Sequence, residues 1–268
     1  MKHTSLPLLA CPDCHAHLTF SGDQTTHILT RELMCTSCHR VYPVMDGIPH
    51  FIEERSLTGM NRRFAHLYDY FSWFYALFSK VGFAFLGLNE KKARKEVTDL
   101  LDPQSGPILE VSIGPGVNLP YLLERSDVGE VFGLDISPGQ LKRCQKFTRR
   151  RGWDVDLFLG NGEQLPFQDN AFAGILHIGG INIFNDKKAA IDEMIRVAKP
   201  GARILIADEN EKGAKDYEKI LPGFKSSFKG ERDAIKTPID LIPPEMMEVE
   251  CFDIWHGFMY CILFRKPG

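Results

Sequence analysis

Four cysteines stand in two C-x2-C pairs, Cys11/Cys14 and Cys35/Cys38, separated by a loop of about twenty residues. Each pair flanks a turn, Pro12-Asp13 or Thr36-Ser37, that can aim two thiolates at one point. Four sulfurs complete a tetrahedral zinc shell with no open position, so the spacing predicts a structural zinc ribbon over residues 1–52 with Cys11, Cys14, Cys35 and Cys38 as metal ligands. A segment of that size holds too little core to fold unaided, whereas zinc binding supplies roughly 10–16 kcal/mol. Four free thiols or a redox pair would explain the same residues, but two facing pairs argue against both. His15, His17 and His39 crowd the cluster and are read as its solvated neighbours, because the thiolates already fill the shell.

The second pair is followed by Tyr42-Pro43-Val44-Met45-Asp46-Gly47-Ile48-Pro49, an extended apolar stretch broken by an Asp-Gly turn. Taken with CPDC and CTSC, this segment, Leu8 to Ile52, resembles the small zinc-ribbon proteins that activate tRNA, rRNA and protein methyltransferases. The resemblance implies a ribbon fused to its client. Composition sets outer bounds on the rest of the chain. With 32 basic and 35 acidic residues, 44% hydrophobic and 25% charged, the 268-residue chain excludes disorder, collagen and a membrane bundle, and it has no global field to draw it onto nucleic acid. Seven cysteines, an odd number, and the lack of a secretory signal at the amino terminus fit a reducing, cytoplasmic setting.

From Phe64 to Gly87 the chain is dense in aromatics, and Tyr68, Phe71, Tyr75 and Phe78 recur at helical spacing. His66, Asp69 and Lys80 interrupt the run, so a membrane span is excluded. Residues 53–95 are therefore expected to form a helical connector. It either packs across the main domain, covers an apolar substrate as a lid, or touches a membrane surface.

Past Asp102-Pro103, the strand Ile108–Val111 enters a glycine turn, Gly114-Pro115-Gly116, that opens a helix over Leu119–Arg125. A second strand, Glu130–Asp135, ends in a carboxylate about twenty residues later, where it can accept from both hydroxyls of a ribose. Strands over Asp154–Leu159, Ala173–Ile178 and Ala202–Ala207 alternate with helices, the last of them after a helix over Lys187–Ala198. Glu248–Lys266 reads as a hairpin turning near His256-Gly257-Phe258. The expected fold is α/β: a Rossmann-like, doubly wound, mostly parallel seven-stranded sheet over residues 96–268, preceded by the small N-terminal zinc ribbon. Residues 210–245 are read as a possible cap or insertion.

ILEVSIGPGVNLPYL, VFGLDISPGQL, GNGEQLPF and EMIRVAKPGARILIAD, in that order, resemble the motifs of class I S-adenosylmethionine-dependent methyltransferases, and among them the ubiquinone/menaquinone-biosynthesis family. The resemblance covers about Leu100 to Asn210. It implies that Glu110, Ser112, Gly114 and Gly116 hold the methionine end of S-adenosylmethionine, Asp135 the ribose, Ile136 one side of the adenine, and Asn161 and Gly162 its edge. Two residues depart from the pattern. Ser112 replaces a glycine, at a cost of about 1 kcal/mol if its φ is positive, and Asn161 replaces a common aspartate. Weakened rather than abolished cofactor binding is expected.

Methyl transfer from a sulfonium is an in-line displacement in which positioning and water exclusion matter most and a base is optional. The stretch His177–Phe184 lacks the Asn/Asp-Pro-Pro-Tyr/Phe signature of amino-group methylation, and Cys144, Cys251 and Cys261 have no nucleophile context. His177 is the candidate general base, against the plainer reading of a hydrogen-bonded structural histidine; Asp208 and Glu209 are weaker candidates. Lys142, Arg143, Lys146, Arg149, Arg150 and Arg151 form a basic cluster that is read as a solvated helix face able to meet phosphates. The functional expectation is methyl transfer to a small apolar or amphipathic acceptor. An rRNA or tRNA base methyltransferase, with the ribbon recognising RNA, and a non-catalytic cofactor-binding scaffold are the alternatives.

Overall fold

The computed structural model describes residues 1–21, 32–53, 57–63, 81–213 and 236–268. Two sheets organise them. The smaller is antiparallel and runs in chain order through β1 (Leu18–Ser21), β2 (Glu32–Cys35), β3 (Val41–Met45) and β4 (Ile48–Pro49). Along β3 exposed and buried residues alternate, Val41, Pro43 and Met45 outward and Tyr42 and Val44 inward, as expected of a strand with one solvated face.

The larger sheet contains β5 (Ile108–Val111), β6 (Val131–Asp135), β7 (Val155–Leu159), β8 (Phe172–Ile178), β9 (Ala198–Glu209), β10 (Met247–Ile254) and β11 (Met259–Arg265), in the spatial order β10-β11-β9-β8-β5-β6-β7. The five strands β5 to β9 pair with one another in parallel, and β11 pairs antiparallel with both β9 and β10. β5 is buried at all four positions, as a strand covered on both faces must be. The chain leaves β5 toward β6 and β7, then crosses to β8 on the other side, so strand order reverses at the carboxyl end of β5. Such a switch point opens a crevice where ligands bind.

Helices cover both faces. On one, Ala190, Ile191, Met194 and Val197 of α4 (Lys187–Val197) pack with Leu109, Val111, Ile175 and Ile204. On the other, Val97 of α1 (Glu90–Asp99), Leu119 and Leu122 of α2 (Leu119–Leu123), and Leu141 and Cys144 of α3 (Pro138–Arg151) pack with Ile108, Leu176 and Leu205. Local chemistry sets the helix ends. Asn89, Ser137 and Asp186 cap α1, α3 and α4 by accepting from Lys92, Gln140 and Ala189 N–H groups at 3.0–3.1 Å, and Gly152, at φ 66°, closes α3.

β9 is longer than its expected span. It begins at Ala198, directly after α4, and Lys199-Pro200-Gly201 does not delay it, because Phe172 pairs with Ala198 while Gly174 pairs with Arg203, a register shift that absorbs the intervening residues.

The amino-terminal sheet is joined to the edge of the large one. His50 bridges Leu159 of β7 in parallel, Phe51 N–H donates to the Leu159 carbonyl at 2.8 Å, and Leu9 bridges Phe167. Leu33, Tyr42, Val44 and Phe51 share one buried cluster with Phe132, Phe158, Phe167 and Phe172. The core is therefore continuous from the ribbon into the sheet. Of the aromatic connector, residues 64–80 lie outside the described residues, as do residues 214–235 of the possible cap. Where the connector is described again, Phe83 meets the Trp255 ring edge-on at 4.8 Å, and the Arg94 guanidinium lies 5.0 Å from the Phe83 centroid. Among the described residues no helix is long and apolar enough to cross a membrane.

Candidate cofactor crevice and thiolate cluster

The four cysteine sulfurs lie within 4.8 Å of one another, with Cys11 and Cys38 3.7 Å apart and Cys14 and Cys35 3.4 Å apart. A tetrahedral zinc with bonds of about 2.3 Å sets its sulfurs slightly under ~4 Å apart, so this donor set fits the ion. Cys11 and Cys35 are buried, while Cys14 and Cys38 face solvent. Burial works against ionisation of Cys35, yet the Cys38 and Ser37 backbone N–H groups aimed at its sulfur hold it down to about 6. Tyr42 donates its hydroxyl to Asp13 at 2.8 Å and lies 3.0 Å from Cys11 Sγ, which braces the first turn. His17 approaches Gln168 of the main domain at 3.1 Å, away from the sulfurs.

At the switch point, β5 delivers Glu110 and the turn that follows it. Glu110 is 1% exposed; its Oε1 accepts from Asn118 Nδ2 at 2.7 Å and its Oε2 has no partner. Burial pushes its carboxyl up to about 8, opposed by the Asn118 hydrogen bond and the Arg94 charge. Arg94 is also buried, and it reaches Asn118 Oδ1 and Glu90 Oε1 at 2.9 Å each. Glu90, Arg94, Asn118 and Glu110 thus form one hydrogen-bonded row that fixes the buried acid. Asn118 and Arg94 were not foreseen as site residues. The Arg94–Asn118 contact spans 24 residues without any local pattern, and only the position of Asn118, just past the glycine turn, could have hinted at it.

Asp135, ending β6, accepts from Gly114 N–H at 2.7 Å through Oδ2 and from Ser137 N–H at 2.9 Å through Oδ1. A carboxylate offers about four lone-pair directions, and these backbone bonds fix the group at the strand end. Ile136 beside it is half-buried. Gly114 and Gly116 take φ of 54° and 81°; a Cβ on Gly116 would stand 2.8 Å from both Cys144 Sγ and Leu119 Cδ1, so this turn admits only glycine. Across the crevice, a Cβ on Gly162 would meet Phe184 at 2.9 Å. Asn161 turns its Oδ1 to the Glu163 N–H at 3.0 Å and so shapes its own turn. Arg196, donating to the Leu165 and Phe167 carbonyls, clamps that loop to α4.

Ser112 has φ 61°, the left-handed region in which a side chain costs about 1 kcal/mol relative to glycine. Ser112→Gly is expected to stabilise the chain by about 1 kcal/mol, seen as a thermal midpoint higher by roughly 2–4 °C. An unchanged or lower midpoint would mean that the hydroxyl has an offsetting role.

His177, at the end of β8, is wholly buried. Its Nδ1–H donates to the Val111 carbonyl at 3.0 Å, Nε2 has no partner, and burial lowers its pKa below 6.5. The imidazole is therefore neutral at pH 7. Asp208, at the end of β9, accepts from Gly180 and Asn182 N–H groups at 3.2 and 2.8 Å and ties down the loop after His177. Burial and the adjacent Asp208 carboxylate raise Glu209. The basic residues Lys142 to Arg151 lie on α3, away from this row of strand ends.

The crevice thus gathers Glu110, the Ser112–Gly116 turn, Asp135 and Gly162 at adjoining strand ends. An unpartnered buried carboxylate oxygen and the open space beside Gly114, where nothing stands within 4 Å of a Cβ position, suit S-adenosylmethionine. Residues 109–206 match the sequence family described as a methyltransferase domain, and residues 2–47 match Trm112p-like proteins. The demethylmenaquinone methyltransferase of Renibacterium salmoninarum is 35% identical over 121 residues, which is 44% of this chain and 48% of its own. That of Thermus thermophilus is 31% identical over 116 residues, covering 43% and 53%. The chain spans about half the length of these curated relatives. Among solved structures, a candidate S-adenosyl-L-methionine-dependent methyltransferase from Methanococcus maripaludis superposes with a TM-score of 0.55 at 18% identity, covering 80% of this chain and 96% of its own. A chain from the complex of the Haloferax volcanii Trm112 methyltransferase activator with a candidate methyltransferase gives 0.50 at 17%, covering 66% and 89%.

Proposed function

We propose, from a chain that joins a Trm112p-like segment to a class I methyltransferase domain, that it transfers a methyl group from S-adenosylmethionine to a small apolar acceptor of the quinone type. One observation carries the cofactor reading: the buried Glu110 Oε2 lacks a partner while Asp135 is held at the next strand end by Gly114. Glu110 would take the cofactor's ammonium group, Asp135 its ribose hydroxyls, and Ile136, Asn161 and Gly162 would border the adenine. When bound, S-adenosylmethionine supplies an electrophilic methyl on a sulfonium. The four cysteines would hold a structural zinc. The acceptor class rests on the demethylmenaquinone methyltransferases among the relatives, and a quinol of that kind presents a carbon nucleophile activated by loss of a hydroxyl proton.

His177 is the proton acceptor we assign, through Nε2, because its other nitrogen is committed to Val111 and burial keeps the ring neutral. His177→Gln is expected to lower kcat by about 100-fold with unchanged affinity for S-adenosylmethionine, and to remove an acid limb lying below pH 6.5. An unaltered pH profile would leave the histidine a purely structural link between β5 and β8.

The decisive experiment is calorimetric titration with S-adenosylmethionine, followed by labelled methyl transfer to demethylmenaquinone and to transfer RNA. Saturable cofactor binding with label in the quinone supports the proposal. Absence of cofactor binding removes it, and label in RNA alone moves it to the RNA base methyltransferase reading.

A further inference from the structure

Between the ribbon and α3 lies an open cavity of about 430 Å³ lined by Asp46, Lys142, Gln145, Lys146, Arg149 and Arg150. It is built by contact between the two parts: Gln145 Nε2 donates to the Asp46 carbonyl at 2.8 Å, and Arg149 Nη2 approaches the same oxygen at 3.4 Å. Four cations thus stand around one acid, and among the described residues none of Lys142, Lys146, Arg149 and Arg150 makes an ion pair. Elsewhere on this surface basic groups do find partners, as Lys2 does with Glu130 and Lys188 with Asp192. Uncompensated positive charge concentrated at the junction attracts anions from solution.

Two aliphatic side chains stand exposed next to the cavity, on a sheet face that also carries Glu32 opposite Pro43. Met45 immediately precedes Asp46, and with Val41 it forms the outward side of β3, at 51% and 45% exposure. Exposed aliphatic side chains beside a cluster of cations are the two ingredients of an interfacial membrane site, one entering the headgroup boundary and the other meeting lipid phosphates. A single-stranded nucleic acid would instead need open aromatic faces. The rings nearest this helix, Phe147 and Trp153, are turned edge-on to each other at 5.4 Å, and the Arg151 guanidinium lies over both at 5.2 and 5.1 Å. They are already engaged.

We propose that the face formed by β3 and the cationic side of α3 docks on an anionic lipid bilayer. The proposal rests on the reading of the acceptor as lipophilic, since such a molecule resides in the bilayer and docking brings the chain to that surface. Each cation near such a surface raises partitioning on the order of fivefold, an effect that salt screens.

The test uses the full chain in flotation with phosphatidylcholine vesicles, with and without a minority of phosphatidylglycerol. Binding to the anionic vesicles that weakens with salt is expected. The variant combining Lys142→Glu, Lys146→Glu and Arg150→Glu should bind at least tenfold less, Met45→Ser should bind less at every salt concentration, and both should keep wild-type affinity for S-adenosylmethionine. Equal partitioning of the wild type to both vesicles, full binding by the triple variant, or displacement from vesicles by single-stranded RNA in the wild type alone would overturn the proposal. Docking by a chain that transfers no methyl to a quinone would leave this face standing and remove the assigned reaction; transfer without docking would do the reverse.

Discussion

Cys35→Ser is expected to abolish metal retention and to unfold more of the chain than the ribbon. Zinc in a four-thiolate site supplies roughly 10–16 kcal/mol to folding, comparable to the whole stability of a domain, which is about 5–15 kcal/mol. Cys35 Sγ lies 3.4 Å from Cys14, is buried, and accepts from two backbone N–H groups, so its loss removes a ligand and leaves those donors facing a shorter, less polarizable oxygen. The strand that carries it also supplies Leu33 to the cluster shared with Phe132, Phe158 and Phe167. The damage should therefore spread into β6 and β7. Metal analysis should fall from one zinc per chain to none after mild chelation that the wild type survives, and melting should shift down by well over 10 °C as one transition. A variant retaining full zinc would exclude the four-thiolate site; loss of zinc with an unchanged main transition would show that the ribbon folds independently.

Glu110→Gln is expected to separate stability from cofactor binding. The Glu110 carboxyl has its folded pKa raised to about 8 from an ordinary 4.5, so between these values the native state holds a proton that the unfolded chain has released. Stability attributable to this group therefore falls as pH rises from 4.5 and levels off above 8. A glutamine keeps the shape and the bond from Asn118 but cannot ionise. The variant should match the wild type in acid and exceed it by a few kcal/mol at high pH, as read from denaturant midpoints across the pH range. Its affinity for S-adenosylmethionine should drop by at least tenfold, because the ammonium group loses a charged partner. The wild-type affinity should rise toward pH 8 as the acid ionises and fall above it as the ligand's α-ammonium group, with an ordinary pKa of about 8, loses its proton. A variant no more stable in alkali would show that Glu110 is solvated, and one with intact affinity would remove it from the site.

Much of this architecture is legible in the sequence where the signal is local. The C-x2-C pairs need only a turn each to bring their sulfurs together, and the strand, glycine turn and acid of Ile108 to Asp135 follow one another within a single βαβ unit. What was not legible depends on encounters between distant residues or on dihedral angles. No composition rule would pair Arg94 with Asn118 or seat His50 beside Leu159. The positive φ of Ser112 could be posed only as a condition, which the backbone meets. The Asn161 Oδ1 bond to the Glu163 N–H is likewise a turn contact that no motif spells out, and it leaves the side-chain amide N–H groups and a second lone pair uncommitted by that bond.

The seam between the ribbon and β7 also bears on colloidal behaviour. An outermost parallel strand presents a row of unpaired peptide groups that a second copy could extend. Residues 50–51 cover part of that row, and Leu9 covers the nearby loop. At the opposite border β10 is mostly exposed but carries Glu248, Glu250 and Asp253, charges that discourage strand addition. One rim is thus guarded by electrostatics and the other by a neighbouring fold of the same chain. Removing the amino-terminal segment would uncover apolar side chains and part of a strand edge side by side, and is expected to promote self-association.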